Sequence, residues 1–393
     1  MTGTLPRRLA GALVLLLGLV LANGAGAEPS SWFRYGDEAT QAWSFAGVPD
    51  DPMRITIRPR AEPAPRRHIL VLYPRPSSAY DIAITKILQV FAEKEIDAAF
   101  TVVNFGNDNS RGEAAIALAE QDHYDLIFGM GSESTAWLYQ HYRGRAIPVV
   151  SVCSKDPVEL GQIADYESSS GTNFAFTSLN MPIEVQMAYI RELRPNLRNV
   201  AILVDGKNVS AMQTQAAPMA EAARKLGIRV LNVVVQDPAN ARGELKVLVA
   251  DAVRAMKRND PGLANSIFWV TGSTSVFSEI DVINAEADRV PVISAVPEVV
   301  RPGDDSAALS IGVSFESNAH LAAVYAADVL TGRAKVGDLK VGIVSPPDIA
   351  INFRKVRDIG LAVPFSFFEN AAYVYDYDGR MVRGSARGPK AGG

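Results

Sequence analysis

Short apolar runs recur along the chain. Each breaks into small and polar residues, and the segments between runs carry apolar positions at helical spacing. The stretch 147–161 shows the pattern in compressed form: Val149, Val150 and Val152 suit the middle of a parallel sheet, and the chain then breaks into Ser154, Lys155, Asp156 and Pro157. A buried strand there delivers polar groups to the carboxyl edge of a sheet, where ligands of open α/β sheets sit. Asp156, Pro157 and Glu159 also read as N-cap, N1 and N3 of a capping box, which starts a helix without any ligand. The two readings are compatible, because a helix N-terminus at a strand end presents free N–H groups to an anion.

From His68 onward the alternation is regular. An apolar strand at 69–73 precedes a helix with Ile84, Ile87, Leu88 and Phe91 on one face, and further strands begin near Ala99, Leu126 and Val149. Segments 113–121 and 134–142 are long enough for crossover helices, so the series is repeated βαβ with a parallel sheet covered on both faces. A second series has strands near Val200, Val230, Ile267 and Val292. Its helices carry Met212, Ala216, Met219 and Ala223, then Leu245, Leu248, Val249 and Val253. Beyond it lie a strand at 308–314, a helix at 318–330 with Leu321, Val324, Tyr325 and Val329 on one face, and a strand at 341–344. These leftover elements must dock on one of the two units, so the chain crosses back between lobes. The resulting fold class is α/β, two Rossmann-like lobes with parallel sheets joined by hinge crossovers. Lobe 1 is expected at 68–178 plus 312–345 and lobe 2 at 179–311 plus 346–364.

The flanks differ. Residues 1–27 carry Arg7 and Arg8, an apolar run from 9 to 22 and small residues at 25–27, the three parts of a cleaved secretory signal peptide. Export to the periplasm follows, and the Arg7–Arg8 pair alone is a weak signal for the twin-arginine route. Residues 28–67 hold Trp32, Phe33, Tyr35 and Trp43 and then five prolines at 49, 52, 59, 63 and 65, which reads as an N-terminal arm and linker. Residues 365–393 form a C-terminal tail whose aromatics pack on a lobe.

Composition narrows the function classes. With 48% hydrophobic and 21% charged residues the chain builds a substantial core. Loss of Arg7 and Arg8 with the leader takes 39 basic residues to 37 against 43 acidic, a net charge of −6 instead of −4, which argues against nucleic acid as a partner. The single cysteine, Cys153, makes no internal disulfide and excludes a two-cysteine racemase. No Gly-x-Ser-x-Gly elbow is present, and His68, His123, His141 and His320 have no metal-ligand spacing. No metal or cofactor is assigned.

The chain resembles the periplasmic solute-binding proteins of ABC importers, specifically the TrpX-like family of type I fold. The resemblance rests on IPVV at 147–150 with DPV at 156–158 and Gly161, RPNLRNVAIL at 194–203, and VPVI at 290–293. It continues through ADVLTG at 327–332, IN at 351–352 and IGLAVP at 359–364, and spans about 68–364. It implies two lobes joined by three crossovers that close on a small solute, in relatives an aromatic or similar amino acid, and delivery to an inner-membrane permease. Two departures fall near the implied cleft. Lys155 stands where the family usually has Ser or Thr before Asp-Pro, and GTNF at 171–174 replaces an Asn-Val-Thr-Gly turn.

Loops leaving the strand ends supply the candidate ligand-binding residues. In the first lobe these are Arg75, Ser77, Ser78, Ser132, Ser134, Ser154 and Asp156, and in the second Asp205, Ser273, Thr274 and Glu298. Glycines beside hydroxyls at 131–134 and 272–275 let backbone N–H groups approach an anion, although the same serines are also plain helix caps. Arg75 suits a carboxylate, and Asp205 or Glu298 a ligand ammonium. The leading reading is therefore a monomeric receptor that traps a solute by hinge closure. A ligand-sensing subunit for a membrane receptor and an exported α/β enzyme are the rivals, since fold alone does not decide function.

Overall fold

The computed structural model describes residues 31–61 and 67–384, so the expected signal peptide at 1–27 lies outside the described residues. Lobe 1 is built on β1 (Trp43–Val48), β2 (Asp51–Pro59), β3 (Arg67–Tyr73), β4 (Ala98–Asn104), β5 (Leu126–Met130), β6 (Val149–Val152) and β7 (Phe174–Ala175). After β8 (Thr177–Ser178), lobe 2 is built on β9 (Asn199–Asp205), β10 (Arg229–Val235), β11 (Ser266–Val270), β12 (Val292–Ser294) and β13 (Leu309–Gly312). The chain then forms β14 (Gly342–Ile343), β15 (Asp348–Asn352), β16 (Ala371–Tyr375) and β17 (Met381–Arg383).

The first sheet has seven strands in the order β1-β2-β4-β3-β5-β6-β7, and the second eight in the order β10-β9-β11-β12-β13-β15-β16-β17. β8 and β14 pair with each other in a small two-stranded ribbon. The inner strands β4-β3-β5-β6-β7 and β10-β9-β11-β12-β13 are parallel. Their near-continuous Val, Ile, Leu and Phe runs are what a sheet covered on both faces requires. β9 and β11 are buried at every position, and Trp269 and Tyr73 are among the largest fully buried side chains.

Helices α1 (Ser78–Glu93), α2 (Asn109–Gln121), α3 (Gly131–Tyr142) and α4 (Ile183–Leu193) follow strands or the ribbon. Ile84, Ile87, Leu88 and Phe91 of α1 are all buried, as their spacing requires. The helix Phe315–Leu330 packs on α1 and β6. It buries a different face from the one its bulky residues suggest: Ala319, Ala322, Ala323, Ala326 and Ala327 are inside, while Leu321, Val324, Tyr325 and Val329 are half-buried. Small residues let the backbones of two helices approach closely, so the alanine stripe wins the interface.

Both flanks are more ordered than an arm and a tail. β1 and β2 form an antiparallel hairpin that extends the first sheet through β4, with Ile55 and Ile57 turned into the core. Trp43 donates its indole N–H to the Leu88 carbonyl (3.0 Å). β16 runs parallel to β15 and carries Val374 and Tyr375 into lobe 2.

The alanine stripe makes a testable demand. Ala323→Leu adds volume where the helix Phe315–Leu330 has no free space, and is expected to cost about 1–3 kcal/mol, read as a lowered midpoint in urea unfolding.

Candidate functional site

Strand ends from both sheets meet across one cleft. β3, β5 and β6 finish at Tyr73, Met130 and Val152, and β9 and β11 at Asp205 and Val270. The loops that follow bring Arg75, Ser77, Ser132, Glu133 and Lys155 from lobe 1 and Asn208, Ser210, Gly272 and Thr274 from lobe 2 to the lining of one space. Tyr80, Cys153, Leu179 and Phe315 complete its apolar wall. The cavity between these loops measures ≈ 50 Å³ and opens to solvent.

The most unusual group in the lining is Lys155. Its side chain is buried, and burial lowers the ammonium's pKa to about 8, with only the Cys153 thiol acting the other way. Its Nζ donates to the Gly272 carbonyl across the cleft at 3.5 Å, at the outer limit of a hydrogen bond. Three local features aim it. Cys153 adopts a left-handed backbone (φ 52°), and its N–H donates to Asn318 Oδ1 (2.7 Å) on the helix Phe315–Leu330. The Lys155 N–H donates to Ser132 Oγ (2.9 Å). A Cβ at Gly272 would stand 2.2 Å from Nζ, so a side chain there would displace the ammonium from this position.

Lobe 2 holds its side of the cleft through amides. Gln215 accepts from the Gly272 N–H (2.8 Å) and donates to Asn180 Oδ1 (3.1 Å), while Asn180 donates to Thr214 Oγ1 (2.9 Å). Thr214 and Gln215 sit in a π-helical segment, Met212–Ala216, within the helix that follows Asn208. Such bulges re-aim side chains at functional sites.

The candidates named from the sequence divide into those in the lining and those behind it. Arg75, Ser77, Ser132 and Thr274 are in the lining. Arg75 pairs with Glu133 (3.0 Å), and Ser77 caps α1 by accepting from the Ala79 N–H (3.3 Å). Ser78 is exposed on the first turn of α1 and is not part of the lining. Ser134 is buried and donates to the Leu72 carbonyl (2.8 Å), and Ser154 is buried with no hydrogen-bond partner for its hydroxyl.

Asp156 lies behind the lining: it accepts from the N–H groups of Val158 (2.9 Å) and Glu159 (3.2 Å) and from the Tyr166 hydroxyl. The capping geometry read from its sequence is present, but the turn it opens ends at Gly161 (φ 67°) instead of continuing as a helix. In lobe 2, Asp205 accepts from Ser275 Oγ (2.7 Å) and the Lys207 N–H (2.8 Å). Ser273 is fully buried beside Thr271, their hydroxyls 3.1 Å apart.

Glu298 is half-buried after β12, where one carboxyl oxygen accepts from the Phe315 N–H (2.6 Å) and the other, buried, has no partner. Burial pushes its pKa up to about 8, so the group is largely neutral at pH 7. It is placed to hold the start of the helix Phe315–Leu330, not a ligand ammonium. Reasoning from sequence offered Tyr80 as an apolar wall and the loop 205–210 without singling out Asn208, did not assign Phe315, and treated Lys155 only as a departure from a family pattern. Among the described residues no group of three His, Cys, Asp or Glu side chains could hold a metal ion, and no helix is long and apolar enough to cross a membrane.

Comparison with known proteins follows the same lines. Residues 78–374 match the family described as ABC transporter substrate binding protein. Among similar solved structures is a conserved domain protein from Vibrio cholerae, 17% identical with a TM-score of 0.61, covering 78% of this chain and 99% of that one. Another is an ABC domain in complex with L-Trp from Streptococcus pneumonia, 17% identical with a TM-score of 0.59, covering 78% and 100%. A third is a ligand-free, open substrate-binding protein with adhesive properties from Clostridium difficile, 20% identical with a TM-score of 0.58, covering 78% and 98%. These likenesses show the fold, that of type I periplasmic binding proteins. No curated protein sequence matches.

Two outcomes follow from this geometry. Asp156→Ala removes a cap and the Tyr166 partner, and is expected to lower stability by about 1–2 kcal/mol in denaturant unfolding. Glu298 has a folded-state pKa of about 8, above its ordinary value of 4.5. The stability it contributes is therefore full below the unfolded value and is lost as pH rises through the folded one. Glu298→Gln should flatten the fall of unfolding free energy between those two pH values, measured by circular dichroism in urea.

Proposed function

Because the chain belongs to the ABC transporter substrate-binding protein family, we propose that it is the receptor of an ABC importer, exported to the periplasm through the segment 1–27. In this role it takes a small carboxylate-bearing solute into the interlobe cleft and passes it to an inner-membrane permease. The family is one of binding proteins and not of enzymes, and it implies a small-molecule ligand and a permease partner. One observation carries the reading: strand-end loops from both lobes line a single space that is rich in hydrogen-bond donors. A solute touching both lobes binds the closed arrangement better than the open one, which is the differential affinity that hinge closure requires. Amino acids, the solutes implied by the TrpX-like resemblance, are one carboxylate-bearing class to test, and simple organic acids are another.

Native mass spectrometry of the freshly purified protein is expected to show a co-purified small molecule. Small-angle scattering should show a smaller radius of gyration with at least one solute of an amino-acid and organic-acid panel. A scattering profile and melting temperature indifferent to every member would remove the receptor reading.

A further inference from the structure

We propose that the solute is net negative, with its anionic group set against Lys155 and no ammonium for the protein to match, and that it is not a zwitterionic amino acid. This deepens the receptor reading above and rests on it.

Lys155 brings a cation into a buried position where it has no carboxylate partner among the described residues and only the long 3.5 Å contact with the Gly272 carbonyl. An ammonium held this way is costly, and an anion entering the cleft offsets the cost. The surroundings are arranged to keep it there: the left-handed Cys153 backbone turns the chain toward the cleft, and Asn318 holds that turn by accepting the Cys153 N–H (2.7 Å). Glycine at 272 leaves the space that the ammonium fills. Backbone strain of this kind persists where the surroundings over-determine it, and it clusters at ligand clamps.

The rest of the lining supplies donors. Ser132 Oγ already accepts the Lys155 N–H (2.9 Å), which leaves its own proton to donate. Ser77 Oγ likewise accepts from Ala79 (3.3 Å) and keeps its proton. α1 and α3 both begin at this face, so their N-terminal N–H groups favour negative charge.

The lining offers no unpaired carboxylate for a ligand ammonium. Glu133 is the one carboxylate among the lining residues, and it is paired with Arg75 at 3.0 Å. Asp205 is committed to Ser275 and Lys207, and Asp156 to its own turn. A zwitterion would bring an ammonium into a cleft whose free cation is itself unpaired, and like charges there disfavour binding.

The test is calorimetric titration of the full exported protein with matched pairs, each amino acid beside the acid lacking its amino group: phenylalanine and 3-phenylpropionate, alanine and propionate, glutamate and glutarate. The expected result is binding of at least one acid, with its amino-acid counterpart roughly tenfold or more weaker. Lys155→Met should lose roughly 10- to 100-fold in affinity for that acid. Its melting temperature should be unchanged or raised, because a buried charge is removed, which separates lost recognition from lost folding. Gly272→Ala should weaken the same acid by displacing the ammonium. Tighter binding of the amino acid than of its acid, or undiminished affinity in Lys155→Met, overturns the proposal and leaves the receptor reading standing. Binding of no member of the panel, with no change in scattering, overturns both.

Discussion

A chain that passes repeatedly between two buried sheets must satisfy its backbone polar groups at each passage without help from water. Buried side-chain amides do this here. Asn318 accepts from the Cys153 N–H (2.7 Å), Gln186 donates to the Ile311 carbonyl (2.7 Å), Asn180 donates to the Thr214 carbonyl (3.0 Å), and Gln215 accepts from the Gly272 N–H (2.8 Å). Each amide joins an element of one segment to the backbone of another far away in sequence. The amides therefore fix where the strand-end loops stop, and so where the cleft has its walls. Buried networks of this type are valuable when complete and costly when broken. The unpartnered Asn318 Nδ2 marks where this one is incomplete, beside the Cys153 turn.

Two ionisable groups withdrawn from water flank that turn with opposite outcomes. Burial raises the Glu298 carboxyl to about 8 and lowers the Lys155 ammonium to about 8. At neutral pH the acid is then largely neutral and the amine still largely charged. The field in the cleft is consequently positive near Lys155 and is not cancelled by the carboxyl group behind it. A group kept charged while buried subtracts from folding stability, and such residues persist in proteins where function needs them. Glu298 differs in kind: its accepted N–H belongs to the first turn of the helix Phe315–Leu330, so its role is completed within the fold.

The lobes were legible because parallel strands covered on both faces leave continuous apolar runs, and the starts near Ala99, Leu126, Val149, Val200, Val230, Ile267 and Val292 all fall within about a residue of the observed strands. The β1–β2 hairpin was not read, although Ile55 and Ile57 alternate with Arg54, Thr56 and Arg58 as a strand should. Pro52 and Pro59 obscured it; both stand near the ends of β2, where a strand tolerates proline. The helix Phe315–Leu330 misled for another reason, because hydrophobic size picks the bulky face while close helix packing selects alanine. In the site, residue type told where loops would converge but not which way hydroxyls and carboxylates would turn. Ser77, Ser132 and Thr274 line the cleft, whereas Ser134 and Asp156 spend the same chemistry on the Leu72 carbonyl and on a turn. Local capping is satisfied within a few residues, so it competes with ligand binding for every Ser and Asp at a strand end.

Lys155 belongs to lobe 1, and the carbonyl that its ammonium contacts belongs to lobe 2. The 3.5 Å separation is too long for a strong hydrogen bond, so this contact alone does little to hold the jaws together. An anion between them changes the balance, because it can accept from Lys155 on one side and from the Thr274 hydroxyl or the Asn208 amide on the other. Its interaction energy then exists only when both lobes are near. Recognition and closure thus become one event at one atom, and the absence of a side chain at Gly272 is what permits the approach. A serine or threonine in place of Lys155 would be too short to span the cleft and would carry no charge. The departure at this position therefore alters which solute can draw the lobes together while leaving the fold around it unchanged.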